Sequence, residues 1–449
     1  MSKLLEFVRF KDCNLWSVAT LLENQFNYNE DYELVKIGSF LKRNKTQIII
    51  DDDTEYKRVT IKLYNKGVFL RDREIGKNIG TKKQFCIKEG QFLLSKIDAR
   101  NGAFGLATPE VDGAIITADF FAYDIDITQI NPYFLVLMTT TKQFMKFAQS
   151  ASSGTTGRQR IDEKKFLDVK TPLPSLDIQK QIVKQYQDRI NLATSQEQQA
   201  GEKEMEIEEY LYQELGIEIT SKEETKLLSF VKFKNIERWD ASYLLDANNI
   251  QSSYELVPLH TIINTFLQDL NNNSLRFESK RYPDKAFRYI GMENIEKETG
   301  ILLNFQDVKG VDIKSQTIKL PKNFLLYGKL RPYLNKYYLN ENDFDNIIVS
   351  SEFFVFSVKN IDKYYFKYIL SSSFIQNQIE NHMKGARMPR ISEGTFKNLK
   401  IPNPPLNIQN QIANHIQALK NEIKTLKTEA QKNRKLALVE FEMEIFNEA

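Results

Sequence analysis

The sequence predicts an α+β fold in which two pseudo-twofold-related globular blocks are separated by two long antiparallel coiled-coil helices. Three features of the 449-residue chain carry that expectation. The first is an internal repeat. "RIDEKKFLDVKTPLPSLDIQKQI" (Arg160–Ile182) returns as "RISEGTFKNLKIPNPPLNIQNQI" (Arg390–Ile412), gapless and with twelve of twenty-three positions identical. The second is that the repeat extends over the whole chain in one order. The third is a heptad pattern after each copy of the Pro-rich run.

The extended repeat is read from paired stretches. "FVRFKDCNLWSVATLL" (Phe7–Leu22) matches "FVKFKNIERWDASYLL" (Phe230–Leu245), which aligns the only two tryptophans, Trp16 and Trp239. "YELV" occurs at Tyr32–Val35 and at Tyr254–Val257. "FLLSKIDAR" (Phe92–Arg100) answers "FLLYGKLRP" (Phe324–Pro332), and "ADFFAYDID" (Ala118–Asp126) answers "SEFFVFSVK" (Ser351–Lys359). The offset drifts between 222 and 233, so the halves differ by small insertions. The expected organisation is a first block at 1–174, a helical spacer at 175–221, a second block at 222–404 and a second spacer at 405–449. Within the blocks, apolar runs such as "IIVSSEFFVFSV" alternate with Gly, Asn and Asp turn signals, a mostly-β pattern. "NPYFLVLMTTTKQFMKFAQ" and "DKYYFKYILSSSFIQNQIENH" carry helical spacing and predict one long helix per block.

Proline ends whatever precedes it, because it lacks an N–H and restricts the residue before it. Asp177 and Asn407 are then placed to cap a helix. In the second copy the inward positions are Ile412, Ile416, Leu419, Ile423, Leu426, Ala430, Asn433 and Ala437, alternating four and three as a coiled-coil seam does. The first copy keeps that register with Ile182, Tyr186, Ala193, Ala200 and Ile207. It also places Arg189, Gln196 and Lys203 in the row, a poorer seam by itself. Those three, with the acidic run Glu202–Glu209, are candidates for a partner-facing surface. Gly216 is a suitable terminator.

Several chemistries are excluded or disfavoured. Two cysteines, Cys13 and Cys86, give no disulfide framework, which fits a cytoplasmic setting. Three histidines, none beside Cys or another His, leave no metal site and no nucleophile–His pair. No signal-peptide pattern or apolar run of about 18 residues is present. "NPPL" (Asn403–Leu406) superficially matches an Asn-Pro-Pro-Tyr adenine-methylation loop. That chemistry needs an aromatic to stack on the flipped base, and Leu406 is not one. No phosphate-binding G-x-x-x-x-G-K-[ST] loop occurs. "DEKK" (Asp162–Lys165) reads as a solvated loop. No catalytic residue is expected in this chain.

Basic residues recur instead at loops. "SSGTTGRQR" carries Arg158 and Arg160, and its counterpart "MKGARMPR" carries Lys384, Arg387 and Arg390. "SKIDARNG" offers Lys96 and Arg100; "GKLRP" offers Lys329 and Arg331. Glycine permits close backbone approach and arginine suits bidentate contact with phosphate or guanine, so these nine are the candidate DNA-binding residues. Outside the landmarks the blocks diverge, as expected of two readers of different sequences on a bipartite, asymmetric target.

Taken together, the two "P-x-P/PP…L-x-I-Q-x-Q-I" segments, the "GRQRI…F" and "ARMPRI…F" loops and "YIGMENI…G" (Tyr289–Gly300) resemble the specificity subunit of type I restriction–modification systems. The resemblance covers essentially the whole chain. It implies two target-recognition domains, each reading half of a split double-stranded DNA site, with the helices setting the unread gap. It further implies docking of two methyltransferase (modification) subunits and two restriction/translocase subunits. S-adenosylmethionine, ATP and Mg would belong to those partners, with no cofactor in this chain. The alternatives are a specificity subunit of a type IIB or IIG-like enzyme, and an adaptor whose blocks bind proteins.

Overall fold

The computed structural model describes residues 28–150, 152–153, 160–218, 251–267, 276–277, 279–303, 307–314, 316–344, 346–380 and 388–446. The tryptophan-containing repeats, Trp16, Trp239, Cys13 and His382 lie outside them. The chain divides into two units, Met1–Glu197 with Thr428–Ala449, and Gln198–Lys427.

In the first unit a four-stranded sheet, β2 (Leu41–Asn44), β10 (Phe120–Ile125), β7 (Phe92–Ser95) and β8 (Phe104–Leu106), runs in that spatial order. A five-stranded sheet has the order β3 (Gln47–Ile49), β6 (Lys83–Cys86), β9 (Ile115–Ile116), β4 (Glu55–Lys62), β5 (Gly67–Ile75). Short ribbons pair β1 (Glu33–Lys36) with β13 (Lys170–Leu173), and β11 (Ser152–Ser153) with β12 (Arg160–Ile161). The apolar run of β7 is buried along its whole length because both faces are covered. Side chains alternate across a strand. Phe92 and Leu94 join Phe121, Tyr123 and Phe134 in the core beneath the helices. Leu93 joins Val59, Ile61 and Val68 beneath the five-stranded sheet.

The second unit repeats this plan. Its four-stranded order is β15 (Ile263–Phe266), β23 (Phe353–Val358), β20 (Leu325–Gly328), β21 (Tyr337–Leu339). Its five-stranded order is β16 (Arg276–Phe277), β19 (Thr317–Lys319), β22 (Ile347–Ser350), β17 (Ala286–Ile290), β18 (Asp307–Lys309). β14 (Leu256–Pro258) pairs with β24 (Lys400–Pro402). Each five-stranded sheet holds a single parallel pair, β4 with β9 and β17 with β22. The stretches that look unrelated in sequence therefore share one strand order.

The stretches predicted as one long helix per block are each two helices: α1 (Pro132–Thr140) with α2 (Lys142–Ser150), and α6 (Lys363–Ser371) with α7 (Ser373–Glu380). Thr141 and Ser372 cause the break. Each is extended, and each hydroxyl donates to the carbonyl three residues back, Met138 at 2.8 Å and Ile369 at 2.7 Å. Their carbonyls then accept the first bonds of the next helix, from Met145 and Ile375.

"DEKK" is likewise not a loop. Asp162 caps the short helix α3 (Glu163–Asp168), accepting from the Lys165 N–H at 2.9 Å. Ser392 does the same for α8 (Glu393–Asn398), from Thr395 at 3.1 Å. A four-residue helix, α5 (Leu259–Ile262), precedes β15. The repeated Arg-Ile-x₄-Phe pattern follows from packing. Ile161 and Ile391 are buried, and Phe166 and Phe396 are fully enclosed, with Phe396 stacked 4.6 Å from Phe354.

The launching turn leads into α4 (Leu176–Leu215) and α9 (Leu406–Ile445), each of 40 residues and hence about 60 Å long. Both begin one residue before the expected caps, so Asp177 and Asn407 lie in the first turn. Ser175 and Pro405 supply the first carbonyls, to Gln179 at 2.9 Å and Gln409 at 3.1 Å. The repeated glutamine is what locks the turn. Gln179 is fully buried; its amide donates to Pro174 O at 2.8 Å and its carbonyl accepts from the Asn131 N–H at 2.7 Å. Gln409 repeats this with Pro404 O at 2.8 Å and the Asp362 N–H at 2.7 Å. Asn131 and Asp362 are the caps of α1 and α6, so one buried amide ties two helix starts together in each unit.

In the first unit the start of α4 meets the end of α9, antiparallel, with Ile182, Phe441 and Ile445 in one core. In the second unit the end of α4 meets the start of α9, with Leu211, Leu215, Ile412 and Ile416 in one core. α4 ends at Gly216, which takes the left-handed φ of +55° expected of a terminator. Of the seam residues, Ile182, Ala193, Ala200, Ile412, Ile416, Leu419, Ile423, Ala430 and Ala437 are buried. Tyr186, Ile207 and Leu426 are half-buried.

The polar row of α4 does not face away. Gln196 and Asn433 pair amide to amide at 3.0 Å, Arg189 donates to Asn433 at 3.2 Å and also pairs with Glu440, and Lys203 meets Glu422 at 2.6 Å. These residues are half of a helix–helix contact, and their reading as partner-facing surface is corrected accordingly. The hydrogen bond to Glu440 raises the Arg189 pKa, and that to Glu422 raises Lys203. A buried-edge amide pair of this kind fixes register, because any slip leaves polar groups unpaired.

Candidate nucleic-acid interface

Of the nine candidate DNA-binding residues, Arg158, Lys384 and Arg387 lie outside the described residues. The other six fall on two loops per unit. In the first unit Lys96 follows β7 and Arg100 sits in a single 3₁₀ turn, Ala99–Asn101, against the strand that begins at Arg160. In the second, Lys329 and Arg331 follow β20, and a bridge pairs Leu330 with Arg390.

Backbone bonds fix these loops identically. The Lys96 N–H donates to Asp119 O at 2.8 Å, and the Ile161 N–H donates to Lys96 O at 2.9 Å. The Lys329 N–H donates to Glu352 O at 2.8 Å, and the Ile391 N–H donates to Lys329 O at 3.1 Å. The side chains repeat too. Arg160 pairs with Asp119 at 3.1 Å; Arg390 pairs with Glu352 at 3.1 Å through one nitrogen and at 3.2 Å through another. The Glu352 hydrogen bond pushes the Arg390 pKa further up. Lys96 Nζ lies 4.4 Å over the Phe121 ring, and Lys329 Nζ lies 5.2 Å from the Phe354 centroid. Lys329 also donates to Ser351 O at 2.6 Å. Partial burial, then the Arg43 charge, hold Lys96 below the usual lysine range.

The site therefore comprises, in each unit, a half-buried lysine clasped over an aromatic and an exposed arginine clasped by a carboxylate. Arg331 is exposed and holds a left-handed φ of +49°, its N–H donating to Pro389 O at 2.7 Å. This ties the two basic loops of the second unit together. An exposed guanidinium suits planar oxyanions such as carboxylate and phosphate, which it can meet through two nitrogens. Among the described residues no cluster of three His, Cys, Asp or Glu is placed to hold a metal.

Three participants escaped the sequence reading. Asp119 and Glu352 were in view, as the second letters of the aligned "ADFF" and "SEFF", but read only as landmarks. Arg43 gave no signal, since it has no basic counterpart in the aligned landmarks. Its guanidinium lies 4.2 Å over Phe121, donates to the Phe120 and Ala122 carbonyls and pairs with Glu163 at 3.4 Å. Burial lowers its pKa.

Comparison with known proteins adds the following. The family model described as type I restriction modification DNA specificity domain matches residues 29–203 and 265–434. The type I restriction enzyme MjaVIII specificity subunit of Methanocaldococcus jannaschii is 22% identical over 423 residues, covering 90% of each chain. The crystal structure of the HsdS subunit from Thermoanaerobacter tengcongensis matches with a TM-score of 0.50 at 12% identity, covering 94% of this chain and 98% of that one. A structure reported on complex assembly and conformational transition of the type I R-M system matches with a TM-score of 0.57 at 11% identity, covering 93% and 98%. At such identities the structural likeness speaks for the fold.

Proposed function

This chain belongs to the type I restriction modification DNA specificity domain family, and from that premise we propose how its halves read DNA. It is the DNA-specificity subunit of a type I restriction–modification system, the recognition component rather than a catalytic one. Each unit reads one half of a bipartite, asymmetric duplex site. The recognition domains are 1–174 and 222–404, and the spacers are 175–221 and 405–449.

The observation that supports this most is the duplicated constellation: Lys96 with Arg160 in one unit and Lys329 with Arg390 in the other, held by matching backbone bonds, with Arg100 and Arg331 a few residues further along the same loops. Arginines of this kind contact phosphates and position the protein, whereas base reading falls to the diverged sheets and loops. Arg158, Lys384 and Arg387 are included among the proposed DNA contacts on their sequence pattern alone. The two helices act as the ruler for the unread gap and dock two methyltransferase subunits; two restriction/translocase subunits complete the complex. S-adenosylmethionine, ATP and Mg are bound by those partners, and the complex works in the cytoplasm. Among the described residues no helix is long and apolar enough to cross a membrane.

A salt titration of duplex binding tests the proposal. Affinity falls steeply with salt, and Arg160→Ala and Arg390→Ala each reduce the slope of log affinity against log salt by about 1 without loss of folding. A chain that binds no duplex at low salt contradicts it, as does a collapse of the melting transition in either variant. Removing two turns from each spacer shortens the unread gap; an unchanged gap refutes the ruler.

A further inference from the structure

We propose that Asp119 and Glu352 are internal stand-ins for a DNA phosphate, each occupying its arginine in the free protein and surrendering it on binding. The inference rests on the DNA-reading function proposed above and deepens it. The carboxylates would act as positioning residues that restrain grip on DNA of the wrong sequence.

Four observations lead here. The pair occurs twice at equivalent places, with the acid at the turn before β10 or β23 and the arginine at the start of the Arg-Ile-x₄-Phe run. The acid differs by one methylene between copies, yet both contacts close at 3.1 Å. Charge is therefore kept where shape is not. Both pairs are also open to solvent, with side-chain exposures of 58% and 49% in the first and 48% and 35% in the second. Pairs so exposed contribute little to folding. The fold at this point is already secured by backbone bonds through Lys96 and Lys329 and by buried Ile161, Ile391, Phe166 and Phe396. Finally, a carboxylate presents a guanidinium with two oxygens much as a phosphate does, so one can replace the other without a new side-chain pose. Phosphate binding must then displace the acid, a cost that random DNA bears in full and that base contacts at the correct site offset.

The test uses the full chain and random-sequence duplex DNA as the probe. Asp119→Asn and Glu352→Gln each tighten binding about two- to fivefold, the range expected for release of an exposed pair. The double variant multiplies the two effects. Melting temperatures stay unchanged. In an Arg160→Gln background Asp119→Asn has no effect, because no arginine remains to be freed; Glu352→Gln behaves likewise with Arg390→Gln. Asp119→Glu keeps the wild-type affinity. Unchanged or weaker binding in the single variants overturns the proposal, and so does equal tightening in the arginine-free backgrounds, which would report net charge alone. A wild-type chain that binds no duplex fails the underlying function. A wild type that binds while its variants fail to tighten fails this inference alone.

Discussion

The four-stranded sheets of the two units are near copies, whereas the five-stranded sheets share strand order and strand direction but differ in strand and connection lengths. In the former, Phe120 sits opposite Ser95 and Phe353 opposite Gly328, so the register of the central pair is retained, and only the edge strand β15 adds a shift, between Ile263 and Thr265. In the latter, β4 and β5 pair over eight residues around a tight turn at 63–66, with a bulge at Arg58/Val59. Their counterparts β17 and β18 pair over three residues, and 16 residues (291–306) connect them. The turn of the first unit points an exposed Tyr64 outward, with Lys62 Nζ 4.1 Å over Phe69 nearby. It is pinned to the loop of Arg100 by the Asn65 N–H, which donates to Gly102 O at 2.8 Å, and Gly102 holds a φ of +76°. The second unit instead closes Ile295 against Leu302 around Gly300, whose φ is +70° and whose missing Cβ leaves room for the Tyr337 ring. Under the proposed function, the repeated sheet carries the loops assigned to phosphate and the altered hairpin is where sequence preference is expected to differ.

That contrast can be broken in several ways. The largest effect is expected from exchanging the second unit's five-stranded sheet and its 291–306 connection for those of another reader. Methylation sites should then change in one half only, and a change in both halves would end the idea of independent readers. Next come Phe166→Ala and Phe396→Ala in the shared scaffold. Each should cost about 3–5 kcal/mol in denaturant unfolding, since each empties a fully enclosed site. A large loss in one and none in the other would show the scaffolds to be unequal. Gln179→Leu and Gln409→Leu should each cost about 1–3 kcal/mol, by stranding the Asn131 or Asp362 N–H and a prolyl carbonyl. Tyr64→Ala should leave stability unchanged while weakening binding at one half-site by about tenfold, or ~1.4 kcal/mol. The smallest effect concerns the helices. The Arg434 hydrogen bond holds Glu197 below the usual glutamate range, so its contribution is present at neutral pH and lost as pH falls through that lowered value. Arg434→Ala should flatten this acid limb of a melting profile slightly, and an enlarged one would contradict the sign.

Much of this plan was legible in the sequence because duplication prints the same local physics twice. The Pro-rich launch, the Gly216 stop and the four–three seam of α9 depend on residues close in the chain. What was missed depends on partners far away. Arg189, Gln196 and Lys203 looked out of place in α4 because their acceptors, Glu440, Asn433 and Glu422, lie on α9. The helix breaks at Thr141 and Ser372 were hidden because a hydroxyl can end one helix and begin another without disturbing the apolar spacing. The common order of the five-stranded sheets was invisible, since strand order is set by pairing and the side chains there had diverged. In the site, the arginines were visible as repeats, but the carboxylates that hold them become meaningful only once β10 and β23 bring them alongside.

The central claim is that two homologous modules each read half of one DNA site. Sequencing of methylated adenines in cells expressing this chain with its cognate methyltransferase subunits tests it most directly. The expected result is one asymmetric bipartite motif with a constant unread gap. A single uninterrupted motif, or a gap that varies between sites, would contradict it.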